Sequence, residues 1–145
     1  MADPRSVSRK GVNAETLPVV VDNSTIVYDA TKKGGCARVE TGNNAVTWTD
    51  TQGVVKLAVD GEAVCGVLLL VEKDLCATMQ VEGQATMKGG DGAALTPGTA
   101  IVGAVRSAVG GYIRDAASGT AAELVLAAHR IIDDNSADAV EVYLG

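Results

Sequence analysis

"GVLLLVEKDLCATMQVEG", residues 66–83, holds two β-type runs on either side of a short turn, Glu72 to Leu75. The second run alternates, with Ala77, Met79 and Val81 on one face, as a strand half-buried against a core requires. The first, Gly66 to Val71, is apolar without alternation, so it is either a central strand covered on both faces or part of a subunit contact. A hairpin folded around the turn sets Val71 against Cys76, so facing residue numbers add to 147 and Cys65 faces Glu82. That register argues against a Cys65–Cys76 disulfide, because bridged Cα atoms lie within about 7 Å of each other. Cys36 reaches either thiol only through tertiary contact, and all three cysteines are expected to be reduced, small apolar residues.

Working outward, the same β character recurs in short runs. "AVTWTDT" puts Val46 and Trp48 on one face against Thr47 and Thr49, and "VVKLAVDG" sets Val55, Leu57 and Val59 opposite Lys56 and Asp60. Asp60-Gly61 between apolar positions is a hairpin signal, since glycine takes positive φ without a Cβ clash. "LTPGTAIVGAVRSAVGGYIRDA", residues 95–116, reads as strand, loop and strand, its small residues letting backbones approach closely. "HRIID" and "AVEVYL" follow, the latter alternating Val140, Val142 and Leu144 against Glu141 and Tyr143. "SGTAAELVLAA", residues 118–128, is the one helical candidate, with Ser118 as N-cap. The expectation is a mainly β fold: a small β-barrel or β-tulip-like sandwich with one short helix, one domain over 17–145, and an N-terminal arm over 1–16.

Composition narrows the function. A chain of 145 residues suits one domain with a real core, and with no Phe, one Trp and three Tyr that core is built from Val, Ala, Leu and Ile. A net charge of −6 argues against nucleic acid as the partner, because phosphate binding needs clustered Lys and Arg. The longest apolar run is far short of the about 20 residues that span a bilayer, so no membrane partner is expected and the product is expected to be soluble inside the cell that makes it.

Reactive constellations are not evident. His129 is the one histidine, with no "GxSxG" elbow and no serine positioned beside it, so it is read as structural. The cysteines lack CxxC spacing, and no zinc pattern can be completed. "MKGGDGAALTPG" lacks a "GK[ST]" ending and leads into β-type sequence, so turns explain it better than a phosphate loop. The chain is therefore expected to be a binding or architectural protein, not an enzyme, with no catalytic residue, cofactor or metal.

At this point the C-terminal half shows a likeness. The order "LTPGTAIVGA", "GGYIRDAASGTAAEL", "RIID", a polar turn and "AVEVYL" resembles the capsid decoration, or cement, proteins of tailed bacteriophages, and "CATMQVEGQATM" resembles their central strands. The resemblance covers roughly residues 64–145 and rests on turns and small residues. It implies a β-barrel or β-tulip-like domain, often trimeric, on the outer surface of the virion capsid, bridging subunits of the major capsid protein after synthesis in the host cytoplasm. The residues expected to bind partners are Arg5, Arg9 and Lys10 of the arm, together with Leu17, Val19, Val20 and Val21 of "TLPVVV", which could add as a strand to a partner's sheet. A second reading comes from "GGDGAALTPGTAIV", which resembles the turn of biotinyl and lipoyl carrier domains, with Lys88 as the modified lysine.

Overall fold

The computed structural model describes residues 15–32, 35, 43–117 and 129–145. The helix expected over 118–128, the side chains of Arg5, Arg9 and Lys10, and Cys36 lie outside these residues. Within them the chain is mainly β, with a closed five-stranded barrel and additional strands. No described helix is long and apolar enough to cross a membrane.

The barrel is built from β1 (Glu15–Val21), β2 (Ala45–Trp48), β3 (Val54–Leu57), β4 (Gly66–Val71) and β5 (Cys76–Met87). Its order is β1-β3-β2-β4-β5, and β5 closes the ring by pairing antiparallel with β1. Glu15 and Thr16, assigned to the arm from sequence, belong to β1. Alternation sends Val19, Val21, Val46, Val55, Leu57, Leu68, Val71, Ala77 and Met79 into the barrel, where they form one buried cluster with Ile26. This is the aliphatic core that the scarcity of aromatics required.

A second core forms outside the barrel. β5 is twelve residues long: Cys76 to Gln80 lie in the barrel wall, and beyond Gly83 the strand pairs with β9 (Ala139–Leu144), itself paired with β8 (Arg130–Ser136). The expected alternation of β9 holds, with Val140, Val142 and Leu144 fully buried and Tyr143 exposed. Ala45 and Val67, on the outer face of the barrel wall, pack into the same cluster as Met87, Ile101, Ile113 and Ile131. The first half of "GVLLLV" is thus covered on both faces: Val67 faces the second core and Leu68 the barrel interior.

The plain stretch 95–116 is a hairpin of β6 (Ile101–Arg106) and β7 (Val109–Asp115) clamped across the β3–β4 connection. Gly103 N–H donates to Glu62 O (2.7 Å), Gly61 N–H donates to Gly103 O (3.0 Å), and Gly111 N–H donates to Ala58 O (2.8 Å). A Cβ on Gly103 would stand 2.4 Å from Val59 O, so this approach requires glycine. Two expectations are corrected here. Asp60-Gly61 does form a turn, with Glu62 N–H donating to Val59 O (3.1 Å), yet β3 and β4 do not form a hairpin: each pairs with an opposite edge of β2. β3 also ends at Leu57, which leaves Val59 exposed instead of sharing a buried face with Val55 and Leu57.

Candidate interaction surface

The hairpin of residues 66–83 departs from its expected register in one place. Val67 faces Gln80 and Leu68 faces Met79 as expected, but the register shifts at Leu69, and beyond it Leu70 faces Thr78 and Val71 faces Ala77, not Cys76. A β-bulge inserts one unpaired residue and re-aims its neighbours. The turn absorbs the difference: Glu72 N–H donates to Cys76 O (2.8 Å), and Leu75 takes a left-handed φ of 68°. As a result Leu70 points away from the barrel while Val71 still fills it.

That re-aiming completes an uncharged outer face. Pro18, Thr78 and Leu70 form one cross-strand row over β1, β5 and β4, and Val54, Val20 and Cys76 form the next over β3, β1 and β5. Val20 and Leu70 are each 42% exposed, with Leu69 close behind, whereas Leu17, opposite Met79, is exposed on the other face of β1. Soluble monomers rarely leave a contiguous apolar patch on a sheet face, and depletion of charge marks the centre of protein interfaces. Beyond the rows stand the Glu72–Lys73–Asp74 turn and the Lys56–Glu62 ion pair, 2.9 Å apart.

The structure divides the residues expected to bind a partner. Leu17 and Val20 are exposed, whereas Val19 and Val21 are buried in the barrel and cannot meet one. Strand addition through "TLPVVV" is also disfavoured, because β1 is already paired with β5 along its length and with β3 at Val20 and Val21. Val20 N–H donates toward β3, to Gly53 O (2.9 Å), so the backbone nitrogen of Pro18, two residues earlier, faces the same edge and has no hydrogen to give.

At the barrel end where the β2–β3 and β4–β5 turns meet stands Trp48, which the alternation of "AVTWTDT" places on one face with buried Val46. It lies 44% exposed on the rim, since β2 ends there and Val46, two residues deeper, fills the interior. A groove of about 390 Å³ is lined by Trp48, Thr49, Thr51, Gln52 and Gly53. A second, of about 440 Å³, shares Thr49 and Thr51 and continues over Val20, Val21, Asp22, Asn23, Val54 and Leu75. The turn between them is fixed: Thr49 N–H donates to Val54 O (2.9 Å), Val54 N–H to Thr51 O (3.1 Å), and Thr51 N–H to Thr49 Oγ1 (3.2 Å). What alternation did not reveal is that the strand ends at Trp48, just before a Thr-Asp-Thr turn.

The remaining candidates are structural in their surroundings. His129 is buried, accepts a hydrogen bond at Nδ1 from Gly145 N–H (3.2 Å), and is held below the ordinary histidine pKa chiefly by burial. Burial pushes the Cys65 thiol up to about 12, with its Sγ 3.8 Å from the Met79 sulfur, while the Asp74 carboxylate is the main cause of the raised pKa of exposed Cys76. Both cysteines are free. Lys88 is half-buried between β5 and Gly89, and its carbonyl accepts from Ile113 N–H (3.0 Å). Among the described residues no three His, Cys, Asp or Glu side chains gather as a metal site. Compared with known proteins, the chain matches no family model, no curated protein and no solved structure.

Proposed function

We propose that this chain is a structural binding protein that attaches to the outer surface of a bacteriophage head, bridges neighbouring major capsid subunits, and does so as a homotrimer. The observation that carries the reading is the uncharged outer face of β1, β5 and β4, with Val20 on β1 and Leu69 and Leu70 on β4 exposed on either side of β5. The likeness of residues 64–145 to capsid decoration proteins supplies the kind of partner. A carrier domain would instead need its lysine at an exposed hairpin tip, and Lys88 is half-buried behind a backbone hydrogen bond. The decoration reading is therefore preferred.

Replacing Val20 and Leu70 by Asp tests it. Both side chains leave the barrel wall, so each substitution is expected to change folding stability by less than about 1 kcal/mol. Co-sedimentation with expanded heads should fall at least tenfold, since two charges would have to be desolvated in the contact. Undiminished occupancy of heads by the double variant would remove this face from the proposal, and the absence of any head binding by the unaltered protein would end it.

A further inference from the structure

The Trp48 end of the barrel is grooved on its surface, carries an exposed aromatic side chain and has carboxylates in its turns. Asp22 lines one groove, Asp50 sits within the β2–β3 turn, and Glu72 and Asp74 line a third groove of about 540 Å³ with Lys73 as the one cation among the lining residues of the three. Hydrogen bonds from Ser24 hold the Asp22 carboxyl below the usual range, so its charge persists in any ordinary buffer. An exposed indole face beside carboxylates selects a cation, above all a planar guanidinium, which stacks on the ring while its edge meets the acids.

The source of that guanidinium is narrowed by the described residues, whose three arginines are all engaged within the chain; Arg38 lies outside them. Arg106 is bonded to Asp138, Gly89 O and Ala137 O, Arg114 to Asp60, and Arg130 to His129 O. Residues 1–14 carry Arg5, Arg9 and Lys10 against the single carboxylate of Asp3. They join β1 at Glu15, opposite Glu82, which is about 20 Å of strand away from Val21 at the Trp48 end. Fourteen extended residues span at most about 50 Å, so a segment leaving from Glu15 is long enough to meet the Trp48 end of a neighbouring copy.

We propose that residues 1–14 of one copy bind the Trp48 end of the next, an arginine stacking on the indole between Asp22 and Asp50. This inference rests on the homo-oligomer in the proposed function and gives it a geometry: a head-to-tail contact, which closes into a ring such as a trimer when the rotation permits. Trp48 is the only tryptophan, so its emission reports the site alone.

The test uses the full chain carrying Arg5→Ala, Arg9→Ala and Lys10→Ala, titrated with a synthetic peptide of residues 1–14. A saturable blue shift of Trp48 emission is expected, weakened about tenfold or more, or at least about 1.4 kcal/mol, when the peptide carries the same three substitutions. Raising salt to about 0.5 M should weaken it further, because exposed charges are screened over a few ångströms there. No response to the unsubstituted peptide overturns the inference, whether or not the protein forms trimers. A shift in the unaltered protein that does not depend on its concentration between dilute and micromolar samples also overturns it, since the occupant is then the copy's own segment. A trimer that persists in the triple variant with unchanged Trp48 emission overturns the inference while leaving the proposed function standing.

Discussion

Ser107 and Ala108 join β6 to β7 with both residues at positive φ, 51° and 63°, the two-residue turn that Asn-Gly usually supplies. Nothing in "RSAV" advertises such a turn, so its tightness was not legible. Ala108 is exposed and loses little packing on truncation, whereas its Cβ strains the left-handed backbone. Ala108→Gly is expected to stabilise the protein by about 1 kcal/mol and raise the thermal midpoint by about 3–4 °C, as measured by circular dichroism. Leu75, also left-handed, is a different case, because its side chain packs on the barrel core and glycine there would open the end of the barrel. His129 gives a pH dependence. The folded protein keeps the imidazole neutral to lower pH than the unfolded chain does, so the unfolded chain binds more protons below about pH 6.5. Stability is therefore full above that pH and declines as pH falls toward the folded value. His129→Asn keeps an acceptor for Gly145 N–H but cannot titrate, so the decline between about pH 7 and 5 should flatten in urea denaturation. Equal slopes for the two proteins would show that some other group governs it.

The hairpin of β6 and β7 is the element in which composition and structure agree most closely. Its small residues were readable as close backbone approach, and Gly103 and Gly111 make it against Ala58 and the Asp60-Gly61 turn. Gly103→Ala should cost about 2–3 kcal/mol, because the obstructing atoms are the Val59 carbonyl and the Ala58 Cβ, neither a flexible side-chain end. A loss below 0.5 kcal/mol (on the order expected of a neutral surface change) would mean that the clamp is loose. Other elements show where reading fails. The period of β9 predicted its buried face because one side meets a core along its whole length; in β5 Ala77 and Met79 are buried as expected, while Val81 is only partly buried where the strand leaves the barrel. "GVLLLV" was ambiguous because its two halves have different surroundings, and the bulge at Leu69 that separates them has no local sequence signature. Asp60-Gly61 identified a turn but not what the turn connects, since the insertion of β2 between β3 and β4 is a long-range event. The outer face was legible only in part: Val20 was named, while Leu70, Thr78 and Trp48 depend on register and strand ends.

For the whole molecule, the two cores share a strand, and this sets how it unfolds. Met79 is buried in the barrel and Met87 in the second core, eight residues apart on β5. Met79→Ala and Met87→Ala are each expected to cost about 2–5 kcal/mol and to lower one common transition, seen alike by Trp48 fluorescence and far-ultraviolet circular dichroism. Separate transitions for the two probes would show that the cores melt independently. The same strand also brings together the first and the last described strands in chain order. Glu15 lies opposite Glu82 and Leu144 opposite Gly83, adjacent positions at the middle of β5, so the start of β1 and the end of β9 stand within about 10 Å of each other. A circular permutant could therefore join Gly145 to Glu15 through a few linker residues and open at the exposed Asp91-Gly92 turn, with every strand pairing kept. Cargo fused at either end of this domain would leave from one shared exit on the barrel wall, away from the Trp48 rim.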